Sequence, residues 1–116
     1  MAMQTREVPT HEWVPFLDDF SRRHQGEPVT VEVFDRELGA QREMRSMPLI
    51  GVSVDLKDGT EQIEVIAGDE PRSHLMHAIA KPARVHLASS EAGADQALQI
   101  ESADGSTTLV RLDRPA

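Results

Sequence analysis

Between Thr10 and Gln25, Trp13, Phe16, Leu17 and Phe20 recur at the i, i+3, i+4, i+7 spacing that lines one face of a helix. Asp18, Asp19, Arg22 and Arg23 fall on the opposite side. Thr10 is placed to cap the N-terminus, and Gly26 stands where a left-handed residue releases the chain. Pro15 lacks an amide hydrogen and crowds the preceding turn, so it is either the first helical residue or lies within the first turn. Glu12 near the start and His24 near the end suit the helix dipole. Every aromatic residue except Phe34 sits on this stripe, so the helix carries much of the bulky core.

After Gly26 the period changes to two. Val29, Val31 and Val33 alternate with Thr30 and Glu32, as in a half-buried strand. A turn at Arg36-Glu37-Leu38-Gly39 leads into a weaker run, Ala40 to Met47, whose charges suit an edge strand protected against aggregation. Ile50, Val52, Val54 and Leu56 then alternate up to Asp58-Gly59, and Ile63, Val65 and Ala67 alternate after it. Asp-Gly favours a type I′ hairpin turn, which predicts the pairs Val54–Ile63, Val52–Val65 and Ile50–Ala67. Gly68-Asp69-Glu70-Pro71 interrupts the pattern. Ser73 to Ile79 fits a helical turn or a strand equally well, and Pro82 ends it. Val85 and Leu87 predict another strand. A last hairpin turns at Asp104-Gly105, and a three-residue loop with Gly105 as a bulge pairs Leu98 with Val110.

These elements predict an α+β fold: an N-terminal amphipathic helix packed on a strongly bent antiparallel sheet, or a small partly open barrel, of about six to seven strands. The chain of 116 residues has the length of one domain. We expect that domain over residues 8–112, with short flexible termini at 1–7 and 113–116. The predicted plug of the core is Trp13, Phe16 and Phe20 against Ile50, Val52, Val54, Ile63 and Val65.

Composition narrows the chemistry. Twelve basic residues stand against twenty acidic ones, a net charge of −8 spread along the chain. Phosphate neutralisation supplies most non-specific nucleic-acid affinity, so DNA and RNA are not expected partners. No run of about 18 apolar residues is present to span a bilayer. The N-terminus lacks the apolar core of a secretory signal. The absence of cysteine excludes disulfides, thiolate metal sites and a cysteine nucleophile, and suits the cytoplasm.

His74 and His77, with Asp69 and Glu70 upstream, form the cluster that merits testing as a metal or acid/base site. On a helix, His-x-x-His would put both imidazoles on one face beside Asp69, with His86 or Glu64 as a further ligand. On a strand the two rings point to opposite faces, and the histidines are ordinary packing residues. Asp58 is explained by its turn, and Ser89 and Ser90 lack a Gly-x-Ser-x-Gly elbow. No Gly-rich phosphate loop is present, and no cofactor is expected.

Glu12-Trp13, Leu38-Gly39-Ala40-Gln41, Pro48-Leu49-Ile50-Gly51, Asp55, Lys57-Asp58, His74-Leu75, Lys81-Pro82 and Ala103-Asp104-Gly105 occur in an order that resembles the bacterial domain of unknown function family 5335. The likeness runs from about Glu12 to Leu112. It departs at Val54-Asp55-Leu56-Lys57-Asp58-Gly59, where an aromatic-Asp-Pro-Lys-Asp-Asp run would be expected. The resemblance implies a stand-alone bacterial domain and transfers no catalytic or binding residue. The leading expectation is therefore a non-catalytic cytoplasmic interaction or accessory module, with a protein partner or a second copy of itself. The alternative is a small metal-dependent enzyme or metal-binding protein using the His74/His77 segment.

Overall fold

The computed structural model describes residues 4–57, 60–69 and 73–113. Strand β1 (Gln4–Val8) and a single 3-10 turn (Thr10–Glu12) lead into helix α1 (Trp13–His24). Seven further strands follow: β2 (Pro28–Asp35), β3 (Gly39–Lys57), β4 (Thr60–Asp69), β5 (Ser73–Ala80), β6 (Pro82–Ser89), β7 (Asp95–Ser102) and β8 (Thr107–Leu112). They form one antiparallel sheet in the order β1-β6-β7-β8-β2-β3-β4-β5. The sheet does not close into a barrel, because β1 and β5 remain its two ends. No helix among the described residues is long and apolar enough to cross a membrane.

The helical stripe lies where its spacing predicts. Trp13, Leu17 and Phe20 are buried and Phe16 is partly buried against them. Each such side chain contributes about 1.5–3 kcal/mol through apolar burial. Pro15 lies in the first turn, where the helix has no amide partner to lose. Thr10 belongs to the 3-10 turn instead of capping the helix. Glu12 occupies the cap position and makes no side-chain capping bond. Gly26 has φ +86°, the left-handed geometry that lets the chain leave the helix for β2.

The sheet bends at β3. Its first half pairs β2 over Gly39–Pro48 and its second half pairs β4 over Leu49–Lys57, so the runs expected as separate strands are one. The expected edge character of residues 40–47 has this much basis: that half pairs only β2. Ser46 adopts φ +46° at the bend. Its amide donates to the Thr30 hydroxyl, while Thr30 and Ser46 hydroxyls both donate to the Asp113 carboxylate. Beyond the bend, α1 takes the place of β2 beside β3. The Ser21 hydroxyl accepts from the Val52 amide at 2.8 Å and lies 3.0 Å from its carbonyl. The Val52 amide is thereby satisfied by a helix side chain in place of a neighbouring strand.

The predicted pairs Val54–Ile63 and Val52–Val65 occur. Ile50–Ala67 does not, because a bulge between Leu49 and Gly51 shifts the register and sets Leu49 opposite Ala67. The extra residue reverses the inward side: Leu49 is buried in the core, whereas Ile50 is only half-buried. Leu49, not Ile50, faces α1's core. The Asp58-Gly59 turn lies outside the described residues. In the last hairpin Leu98 pairs Val110, and Gly105 has φ +93° at the bulge position, as its turn chemistry predicts. Residues 4–7, expected as part of a flexible terminus, instead pair β6 over Gln4–Ser89 to Val8–Val85. That strand makes eight in place of six to seven. Of the expected C-terminal tail, Asp113 is held by Thr30, Ser46 and Arg111, and 114–116 lie outside the described residues.

Candidate functional site

The segment carrying His74 and His77 is a strand along its full described length. It pairs β4 without a register break from Asp69–Ser73 to Gln62–Ala80. Adjacent side chains on a strand alternate, so residues three apart face opposite ways. His74, opposite Gly68, is exposed, while His77, opposite Val65, shares the inward face with buried Ile79. The helical geometry that would join His74, His77 and Asp69 around an ion is absent. Among the described residues no group of three or more histidine or acidic side chains is placed to hold a metal. His86 stands elsewhere, on the outer sheet face between Glu7 at 3.8 Å and Glu101 at 3.6 Å. Glu64 pairs with the Gln62 side chain.

His77 instead lines a cleft of about 230 Å³ between β5 and the β7–β8 hairpin. Ser102, Asp104, Ser106 and Thr108 form its hairpin wall, and Val33 and Ile79 contribute apolar surface. Burial pushes the His77 imidazole below its ordinary pKa, against a smaller opposing pull from Glu43. A neutral ring offers one donor and one acceptor. Asp104 Oδ1 accepts from the Ser106 amide at 2.9 Å and its hydroxyl at 2.7 Å. The Ser106 amide bond leads the contributions that hold the Asp104 carboxyl below the usual carboxylate range.

A second polar cluster clamps the end of α1 to the start of β7. His24 continues the stripe of Trp13, Leu17 and Phe20 and is 4% exposed, with the Phe20 ring centroid 4.6 Å away. One ring nitrogen lies 2.9 Å from Glu27 Oε2 and the other 2.8 Å from Asp95 Oδ2. Arg23 donates to the same Asp95 oxygen at 2.6 Å. Burial alone would raise the Asp95 carboxyl, but hydrogen bonds from His24 and Arg23 and the arginine charge bring it below its ordinary value. The arrangement fastens the end of the helix to the start of β7.

His24 was legible as a helix-end residue, and its place on the apolar stripe signals its burial. Asp95 gives no such signal, because its partners are far away in sequence. The same holds for His77, which only the curling of the sheet brings to Ser102 and Thr108 of the β7–β8 hairpin.

The model for a family of unknown function (DUF5335) matches residues 4–116. An uncharacterized protein of Aquifex aeolicus (strain VF5) is 28% identical over 114 residues, covering 98% of this chain and 96% of that protein. No solved structure matches.

Proposed function

Because the chain belongs to this family of unknown function (DUF5335), its own geometry must carry the functional reading, and we propose a non-catalytic interaction module that pairs β5 with β5 of a second copy. The supporting observation is the character of that edge. Ser73-His74-Leu75-Met76-His77-Ala78-Ile79-Ala80 contains no acidic residue, no lysine or arginine and no proline. Its pairing with β4 has no bulge to twist it away, and Leu75 and Met76 are each about half exposed. Such an edge, left open, is a template for another strand.

A second copy suits this edge on charge grounds. The chain carries −8 overall, yet the strip that would lie closest to its twin is uncharged. A twofold axis perpendicular to the sheet sets residues of equal parity opposite one another, an isologous contact that closes at two subunits. Leu75 and Met76 then lie on opposite faces of the joined sheet and add apolar burial to both. A cytoplasmic setting belongs to the same proposal, since a chain without cysteine has no use for an oxidising compartment.

Sedimentation velocity from micromolar to near-millimolar concentration tests this. The expected result is a reversible dimer that Leu75→Lys with Met76→Lys converts to monomer. A monomer throughout, or a dimer that survives both lysines, overturns the reading.

A further inference from the structure

The cleft beside His77 has features of a recognition site that close packing does not require. Thr108 is 2% exposed, yet among the described residues its hydroxyl has no hydrogen-bond partner. It is not sealed either, since His86 Nδ1 is the one buried, unsatisfied side-chain atom found among them. The open space next to Thr108 is the cleft. A nearly buried hydroxyl on a residue that lines a cavity, without a bond to the protein, is available to an occupant. Ser102 and His77 line the same space, also without side-chain hydrogen bonds among the described residues.

The remaining groups indicate the chemistry of that occupant. Asp104 brings an exposed carboxylate to the rim of the cleft, where its Oδ1 accepts from Ser106. The hydroxyls and the neutral imidazole can each accept or donate, and no lysine or arginine is among the described lining residues. Anions are disfavoured by this carboxylate and by the net charge of −8. A volume of about 230 Å³ is smaller than the usual space for a drug-sized ligand. Val33 and Ile79 leave room for a short hydrocarbon segment.

We propose that the cleft between β5 and the β7–β8 hairpin binds a small hydroxylated organic cation of the amino-alcohol class. Its ammonium group pairs with Asp104, and its hydroxyls bond among Thr108, Ser102 and His77. The site uses the inward face of β5, whereas self-association uses the outer backbone edge, so each reading can fail without the other.

The test is an amide-resolved NMR titration of the full chain with 2-amino-1,3-propanediol at constant ionic strength. Glycerol and sodium acetate serve as the neutral and anionic comparators. The expected result is saturable shifts confined to residues 77–80 and 102–108 with the amine, weaker binding with glycerol and none with acetate. Thr108→Val and, separately, Ser102→Ala should each weaken the amine about tenfold, the loss of one well-made hydrogen bond. Asp104→Asn should remove the preference for amine over glycerol. Shifts that never saturate, that spread over the acidic surface, or that are unchanged in Thr108→Val and Ser102→Ala overturn the proposal. Equal binding of glycerol and the amine overturns its cationic part. Met76→Lys alone, on the opposite face of β5 from His77, leaves every lining residue of the cleft in place, so loss of the dimer and loss of the ligand are read separately.

Discussion

The two ends of the sheet solve the same problem differently. β1 is a short edge bearing Arg6 and Glu7, and Pro9 follows it at once. Its inner side is fastened to α1: the Trp13 indole donates to the Val8 carbonyl at 3.0 Å, and the Arg6 guanidinium lies 5.6 Å from the Phe16 ring centroid. The neighbouring start of β7 is fastened as well, through Asp95 to Arg23 and His24. β5 is longer, regular and free of Lys, Arg, Asp and Glu, and among the described residues its hydrogen-bonded neighbour in the sheet is β4 alone. One flank is closed by the helix and by charges within its strand, and between Ser73 and Ala80 the other has no Lys, Arg, Asp or Glu and no packed helix among the described residues. The proposed self-association uses the second of these edges.

Several substitutions probe that contrast. Trp13→Ala should remove the largest single support of the closed flank, lowering stability by about 3–5 kcal/mol. Urea unfolding would measure it, and hydrogen exchange should show β1 amides losing protection before those of β4. Trp13→Phe, which keeps a ring but not the bond to Val8, should cost about 1 kcal/mol beyond its packing loss. If β1 stayed protected in Trp13→Ala, the helix would not be what holds that edge.

Asp95→Ala should cost about 2–4 kcal/mol, because it takes the shared acceptor away from Arg23 and His24 in a largely buried setting. The same carboxyl sets a pH dependence. Its folded pKa is depressed, so the native state binds fewer protons than the unfolded chain in acid. Its stabilisation is therefore complete above the unfolded value near 3.8 and is lost as pH falls through the folded value. Urea midpoints taken from neutral pH to about pH 3 should fall more steeply in the wild type than in Asp95→Ala. Equal slopes would show that this carboxyl is not coupled to folding.

On the open flank the same measurement should move little. Leu75→Lys with Met76→Lys should change monomer stability by no more than about 0.5 kcal/mol, because both side chains are exposed. The change expected there is in association state. The smallest effect should come from stripping the charges of β1, Arg6→Val with Glu7→Thr, in that lysine background. Sedimentation velocity should show weak self-association at most, since β1 remains short and ends at Pro9. Association as strong as the wild type's would mean that charge alone, not length and proline, keeps β1 apart.

Much of the local structure was legible in the residues themselves. The stripe of Trp13, Leu17 and Phe20 specifies its own helix because a 3.6-residue period is written in neighbouring positions. The β7–β8 hairpin was legible in the same way, from Gly105 and the need to keep Leu98 opposite Val110. The candidate metal site was not decidable on those terms. Leu75, His77 and Ile79 suit a strand, and Leu75 and Ile79 a helical turn, until β4 is available to pair with. β1 was missed because Gln4-Thr5-Arg6-Glu7 has no apolar alternation, and its partner β6 is distant in sequence.

By itself, then, the amino-acid sequence determined the helix, the two-residue alternation of most strands, the turn chemistry and an acidic, cysteine-free chain. Those properties depend on residues near one another along the chain. Tertiary structure decided the bulge that exchanges Ile50 for Leu49, the attachment of His24 to Asp95, the cleft beside His77 and which strands form the two ends of the sheet. Each of these depends on which distant segments lie side by side, and a local pattern carries no record of its distant partner.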